Sequence, residues 1–247
     1  MTKAINLRSY NLSESDKIVV MYSKDKGLIR GVAKGVKKPK SKLSGRMDAL
    51  VANSLMLYKG KNLDTICQAE ALNTFHKTRN DIDKLCYSMY CAEVVNHFGV
   101  ENDPSSEKIY DLLYNCLAKI SESKDKTAIL MSVLRFQLKM MEVVGYCLEL
   151  ENCSRCSLSI EGDEIFFAPK QGGIICPNCK EHFVGAPKMN LKLKNFLSKM
   201  MNTDFSAETE YDNLVNEKFC LFCFNLLKNY VENFSSKSFK TVELIGV

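Results

Sequence analysis

The chain has 247 residues, of which 46% are hydrophobic and 26% are charged, and its formal net charge is +5. This length allows two or three small domains with buried cores, and no stretch approaches the roughly eighteen consecutive apolar residues of a membrane-spanning helix. The eleven cysteines are an odd number scattered through apolar segments. They fit reduced thiols better than a secreted disulfide scaffold, so we expect a soluble cytoplasmic protein.

Positive charge is concentrated near the N-terminus. Residues 1–80 hold sixteen Lys or Arg and six Asp or Glu, whereas residues 81–247 hold eighteen and twenty-three. An excess of one sign in one part of a chain predicts a partner of the opposite sign for that part. A basic binding surface is therefore expected in the N-terminal third.

The N-terminal segment predicts a small β-barrel. Runs rich in β-branched and large apolar residues lie at 18–22, 28–36 and 54–58, with turn-forming sequences between them. About five short strands in so short a segment favour a closed barrel, because closure removes exposed strand edges. We predict an OB-like barrel over residues 1–79.

A dense run of basic residues lies within this predicted barrel. Its richest part, residues 35–42, carries Gly and Pro and is predicted to be an exposed loop. Several cations on one loop can neutralise neighbouring phosphates and release counterions, which favours nucleic-acid binding, although a solvated loop without a ligand is the alternative. The predicted nucleic-acid-binding residues are Lys24, Lys26, Arg30, Lys34, Lys37, Lys38, Lys40, Lys42 and Arg46.

Apolar residues recur with a helical period of about 3.6 after residue 80. Asn80 is the predicted cap of the first helix and Gly99 its end, whereas Asp103 followed by Pro104 predicts the start of the second. Gly145 is predicted to end the third helix. The predicted helices lie at 80–99, from 103 through Ile120, at 126–144, around 191–200 and at 214–231.

Two Cys-x2-Cys pairs interrupt the helical region, with nineteen residues between them. Each pair can direct two thiolates at one ion, and four sulfurs complete the tetrahedral shell of a structural zinc ion, leaving no position for water. Unrelated cysteines or disulfides are the alternative. Between the pairs, two short apolar runs predict two paired strands. The predicted ligands of a single Zn²⁺ are Cys153, Cys156, Cys176 and Cys179.

A further pair, Cys220 and Cys223, lies in an apolar run without two additional ligands, so we predict that it packs in a core.

The three histidines are far apart in the sequence, and no nucleophile, phosphate-binding or metalloprotease motif is present. We therefore predict a binding protein without enzymatic activity. A zinc-ribbon protein that binds RNA in transcription or translation is an alternative, because the OB fold serves both polymers.

These elements predict an α+β multidomain chain, in which an N-terminal OB-fold β-barrel is followed by an α-helical domain with an inserted four-cysteine zinc finger. The predicted bounds are 1–79 for the barrel, 80–150 and 185–247 for the two parts of the helical domain, and 151–184 for the zinc-finger insert.

Several short motifs follow one another in a fixed order along the chain. They are Glu14-Ser15-Asp16-Lys17-Ile18-Val19, Gly27-Leu28, the segment from Ala33 to Ser41, the segment from Leu57 to Leu63, Arg135-Phe136-Gln137-Leu138, Gly145-Tyr146, Phe167-Ala168-Pro169 and the segment from Gly172 to Cys176. Together, over roughly residues 4–235, these motifs resemble the RecO family of recombination mediators. Gln137 stands where the family usually has Glu.

The resemblance implies that single- and double-stranded DNA bind to the chain and that it anneals complementary strands. It also implies that, with RecR, the chain helps to load RecA onto DNA coated by single-stranded DNA-binding protein (SSB), in association with the bacterial nucleoid. The zinc ion would be structural. In the family the C-terminal tail of SSB docks on the helical domain, and Arg135 is our candidate for contacting it.

Overall fold

The structure is a computed structural model that describes residues 1–160, 162–203, 205, 215–235 and 237–245. The chain divides into two compact units, Met1–Ile129 with Phe239–Val247 and Leu130–Ser238. Within the described ranges, no helix combines the length and the apolar character that a membrane crossing requires. The predicted domain bounds stay a prediction.

The N-terminal strands form the predicted OB-like barrel. Its five strands are closed in the order β1-β2-β3-β5-β4, and all neighbours are antiparallel except β3 and β5. This barrel and the helices that follow it confirm the predicted fold class. The strands are β1 (Thr2–Asn11), β2 (Lys17–Ser23), β3 (Gly27–Ala33), β4 (Ala52–Tyr58) and β5 (Asp64–Asn73).

Alternating residues of these strands fill the barrel. Val19 and Met21 on β2 and Leu55 on β4 belong to one fully buried cluster. A side-chain carbon at Gly31 would lie 2.8 Å from Ile66, so only glycine lets β3 and β5 pair this closely. Each large aliphatic side chain buried here contributes about 1.5–3 kcal/mol.

In the part of the chain that the structure describes, seven α-helices follow the barrel. Asp81 accepts a hydrogen bond from the backbone N–H of Lys84, so the first helix is capped one residue later than Asn80. The second helix begins two residues later than predicted, with Ser105 at the cap position, because the Asp103 carboxylate accepts from the Ser105 N–H and from the Tyr22 hydroxyl instead. The helices are α1 (Ile82–Phe98), α2 (Ser106–Glu122), α3 (Lys126–Val143), α4 (Pro177–Lys180), α5 (Leu191–Met201), α6 (Glu217–Ser235) and α7 (Thr241–Ile245).

The second unit contains a small sheet with the order β7-β6-β8. Strands β6 (Ile165–Ala168) and β7 (Gly173–Ile175) pair antiparallel, as predicted, and β8 (Lys188–Met189) adds to β6. Cys220 and Cys223 are fully buried on α6, which confirms that they are core residues. Residue 214, where this helix was predicted to begin, lies outside the described residues.

Candidate metal centre and nucleic-acid interface

The structure brings the four predicted metal ligands together. The sulfur atoms of Cys153, Cys156, Cys176 and Cys179 all lie within 4.8 Å of one another. Cys153 and Cys179 are buried, whereas Cys156 is exposed. His182 is exposed and does not belong to this group. Four soft sulfur donors at this spacing can hold one metal ion. Because they complete its coordination shell, no open coordination position remains at which a substrate could react.

Two backbone turns aim the sulfurs inward. After the first pair, Ser157 adopts a left-handed conformation with φ 60°, and its N–H donates to the Cys153 carbonyl at 2.8 Å. The second pair spans the start of α4, where Pro177 occupies the first turn. The Cys176 N–H donates to the Cys153 sulfur at 3.4 Å, which joins the two turns directly.

A glycine lets strand β7 lie against the first turn. A side-chain carbon at Gly173 would lie 2.2 Å from the Glu149 carbonyl oxygen and 2.6 Å from the Ser154 hydroxyl. The Ser154 N–H and hydroxyl both donate to the Ile174 carbonyl, at 2.8 and 3.0 Å. Because β7 leads directly into Cys176, these contacts position the second pair beside the first.

The sulfurs differ in how readily they ionise. Burial raises the pKa of Cys153, but the backbone N–H groups of Cys156, Cys176 and Arg155 outweigh it and lower the pKa to about 6. Burial, followed by the neighbouring sulfurs, raises the pKa of Cys179 to about 12. Crowded thiols resist simultaneous ionisation, and a bound cation relieves this because it stabilises every thiolate that contacts it.

Of the nine predicted nucleic-acid-binding residues, all but one are exposed. The exception is Lys24, whose ammonium group lies 2.9 Å from Asp111 and 3.2 Å from Glu107, and these hydrogen bonds raise its pKa. Its charge is therefore matched locally. The exposed members of the predicted set are Lys26, Arg30, Lys34, Lys37, Lys38, Lys40, Lys42 and Arg46.

The segment between β3 and β4 is a series of turns held at both ends. Val36 and Met47 are buried in the barrel core, and the Gly35 N–H donates to the Asp16 carboxylate at 2.7 Å. Successive turn bonds include the Ser41 N–H to the Lys38 carbonyl at 3.0 Å. We call residues 34–46 the basic segment. Its lysines are presented by an ordered backbone.

Two buried asparagines, which sequence reasoning missed, hold the end of the basic segment. The side-chain amides of Asn6 and Asn53 each donate to the Arg46 carbonyl at 2.8 Å, and Asn6 also donates to the Asp48 carbonyl at 2.8 Å. Both asparagines are fully buried. A polar residue inside an apolar strand pattern, as at Asn6 between Ile5 and Leu7, was the available signal.

An aromatic and a second arginine extend the basic surface along the barrel wall. Arg8 and Arg30 both pair with Val20, so the two guanidinium groups stand on the same outer face. The Arg8 guanidinium lies 5.1 Å from the ring centre of Tyr10, which is 47% exposed. Sequence reasoning missed Arg8 and Tyr10 because they precede the charge run on a different strand.

Arg135 occupies a buried position on α3 in the second unit. Only 9% of the residue is exposed, and its guanidinium lies 5.6 Å from the ring centre of Phe205. The neighbouring Phe136 and Gln137 are fully buried. The Arg-Phe-Gln-Leu motif is therefore part of a packed helix face.

Comparisons with known proteins agree with these features along the whole chain. The family model for the N-terminal part of recombination protein O matches residues 1–75, and the model for its C-terminal part matches residues 79–240. The "DNA repair protein RecO" of Desulforamulus reducens is 32% identical over 244 residues, which cover 98% of this chain and 92% of that protein.

Two further relatives bear the same name. The protein of Dehalococcoides mccartyi strain CBDB1 is 32% identical over 206 residues, covering 83% of this chain and 79% of the relative. That of Acetivibrio thermocellus is 31% identical over 212 residues, covering 84% and 82%. With both family models matched in order, the chain belongs to the RecO family of DNA repair proteins.

Proposed function

We propose that this protein is a recombination mediator that binds single- and double-stranded DNA and anneals complementary strands without covalent chemistry. With RecR, it helps to load RecA onto SSB-coated single strands at the bacterial nucleoid. The single observation that carries the DNA-binding part is the ordered, exposed basic segment on a closed barrel.

The basic segment supports annealing through its charge. Two single strands repel each other through their phosphates, and a surface that neutralises phosphates lets them approach and pair. Lys37, Lys38, Lys40 and Lys42 are all exposed and follow one another on the same series of turns. Their contacts with phosphate need no particular base sequence.

The barrel wall supplies a complement to these phosphate contacts. Exposed aromatic rings stack on unpaired bases, and arginine adds cation–π attraction, whereas bases within a duplex are already stacked. Tyr10, held beside Arg8 and on the same outer face as Arg30, suits this role. We propose that this face prefers single strands and that the basic segment serves both DNA forms.

We propose that the metal held by the four cysteines is Zn²⁺, since a tetrahedral set of thiolates suits it. When bound, the ion would supply a structural cross-link between the two Cys-x2-Cys turns. The cysteines themselves hold the geometry: the Cys153 sulfur already accepts from the Cys176 N–H, and hydrophobic residues such as Phe166 and Ile175 pack around the pair.

For the SSB tail, we propose that Arg135 on α3 forms a contact through its guanidinium, which lies 5.6 Å from the ring centre of Phe205. Replacing Arg135 with Ala should weaken binding of an SSB tail peptide while DNA annealing without SSB stays unchanged. Lys139→Ala on the same helix is the matched control, because Lys139 pairs with Glu142 at 3.0 Å. Wild-type affinity for the tail in the Arg135 variant would exclude this contact.

The test of the proposed function is annealing of two complementary oligonucleotides, with and without SSB coating. The test variant replaces Lys37, Lys38, Lys40 and Lys42 with Glu and should lose annealing in both conditions. The control replaces four exposed lysines outside the barrel, Lys108, Lys119, Lys124 and Lys218, with Glu, which gives the same net charge. Annealing that survives in the test variant, or that fails equally in the control, would contradict a role for the basic segment.

A further inference from the structure

A cavity of about 610 Å³ in the second unit is lined by α6, by the loop at residues 182–187 and by the end of β6. Much of its wall is apolar, from residues such as Phe167, Pro187 and Leu226. Two lining residues are unusually exposed for their type, Val184 at 103% and Phe222 at 54%. Exposed apolar side chains gathered at one concave site mark a binding surface.

Three asparagines form one wall of this cavity. Asn225, Asn229 and Asn233 are spaced by four residues on α6, so they lie in a row with steps of about 6 Å. Asn225 is partly buried and Asn229 and Asn233 are exposed, and within the described ranges no protein group is seen to hydrogen-bond their side-chain amides, which leaves them open to a ligand. Asparagine is a poor helix former, so three of them along one helix face carry a cost that helix formation does not explain. We call this cavity with its row of amides the asparagine groove.

The spacing of the amides matches an extended polypeptide. Alternate residues of a strand repeat at roughly 6.6 Å, close to the step between successive asparagines. Each amide offers an acceptor oxygen and two N–H donors, so it can bond the C=O and the N–H of one peptide residue together. The apolar wall beside the row can then take alternate side chains.

The backbone of a nucleic acid fits the hydrogen-bonding groups of this wall less well than a peptide backbone does. Phosphate oxygens only accept hydrogen bonds, so the three amide oxygens would lack donors against a DNA backbone. Among the described residues that line the cavity, only Lys170 and His182 have basic side chains, and none is acidic. The groove therefore lacks the dense positive charge that DNA binding requires, unlike the basic segment.

We propose that the asparagine groove binds an extended peptide segment of a protein partner. The row of amides holds the peptide backbone, and an apolar side chain of the peptide packs against Val184 and Phe222. This site is separate from Arg135, which does not line the cavity. The proposal does not depend on DNA binding, so either can fail while the other stands.

The probe is a phage-displayed library of random decapeptides, panned on the full-length protein. An enriched peptide is then synthesised with a fluorophore, and its affinity is measured by anisotropy. The variant carries Asn225→Ala, Asn229→Ala and Asn233→Ala, which should leave α6 intact because alanine favours helix. We expect at least tenfold weaker binding to this variant, and a similar loss when the peptide backbone is N-methylated.

Asn202→Ala, an exposed asparagine after α5, is the control and should bind the peptide as the wild type does. Annealing of DNA by the triple variant should be unchanged. The proposal is overturned if no peptide is enriched, or if the enriched peptides bind the triple variant within twofold of the wild type. A loss of oligonucleotide affinity in the triple variant, with no peptide enriched, would instead assign the groove to nucleic acid.

Discussion

The basic segment and the four-cysteine centre are both built from turns, but different forces hold them. The basic segment is fixed by protein contacts, with Val36 and Met47 in the core and with Asn6 and Asn53 bonded to the backbone of Arg46. The cysteine centre places four sulfurs within 4.8 Å, where they oppose one another's ionisation. The first region is therefore complete as protein alone, whereas the second has a geometry that a bound ion would stabilise.

The two regions should therefore affect different properties, DNA affinity for the basic segment and the stability of the second unit for the cysteine centre. The lysines of the basic segment are exposed, and the Lys37 ammonium donates to the Ser13 carbonyl at 3.0 Å. Because a single exposed contact contributes little to stability, replacing these lysines should change DNA affinity and leave the folded state nearly unaffected. Three of the four cysteines belong to or pack against a small hydrophobic cluster with Phe166 and Ile175, so replacing one should abolish binding of the proposed ion and destabilise the second unit. Substitutions in the basic segment should therefore lower DNA affinity, whereas substitutions in the cysteine centre should lower stability.

The largest expected effect is that of Cys153→Ser. It removes the most buried ligand, and we expect loss of bound zinc together with about 3 kcal/mol or more of stability, since metal binding is coupled to folding. Zinc content by mass spectrometry and thermal unfolding are the measurements. Cys147→Ser, at an exposed cysteine outside the cluster, is the control and should retain both. A zinc-free Cys153 variant of unchanged stability would contradict the comparison.

Asn6→Ala should have an intermediate effect that spans stability and binding. It leaves the Asp48 carbonyl without its side-chain amide donor and removes one of the two amides that donate to the Arg46 carbonyl, which costs about 1–3 kcal/mol, and it loosens the end of the basic segment. We expect a lower melting temperature together with a several-fold loss of DNA affinity. The control is Asn11→Ala, at an exposed position of the same strand. Lower stability without any change in DNA affinity would show that the segment does not need this support.

Tyr10→Ala should have the smallest effect and should change selectivity. Loss of one stacking contact is expected to weaken single-stranded DNA binding by about 1 kcal/mol, with little change for duplex DNA. Tyr10→Phe keeps the ring and should bind as the wild type does. Affinities for a single-stranded and a duplex oligonucleotide of the same sequence provide the comparison. Equal losses of affinity for the two substrates would show that the barrel wall does not form a specific interface with single-stranded DNA.

Local patterns in the sequence predicted the barrel with the approximate positions of its strands β2, β3 and β4, the paired strands β6 and β7 and the set of four cysteines. Each of these depends on neighbouring residues or on a fixed spacing. Helix starts were less accurate, because Asn80 and Asp81 are both good caps and only the fold selects between them.

Contacts between distant residues could not be predicted. Lys24 is paired with Asp111, eighty-seven residues away, so a residue that belongs to the charge run is locally neutralised. Asn6 reaches the Arg46 carbonyl across forty residues. The burial of Arg135 could not be predicted either, because the motif around this residue does not show which face of α3 packs inward.

The most direct test of the central claim is the salt dependence of single-stranded DNA binding, measured together with zinc content. For the variant with Glu at Lys37, Lys38, Lys40 and Lys42, the slope of log affinity against log salt should fall by about 3, at about 0.7 for each lost phosphate contact. Zinc content and melting temperature should match the wild type. An unchanged slope, or a variant that has lost its zinc, would contradict the separation of binding from stability.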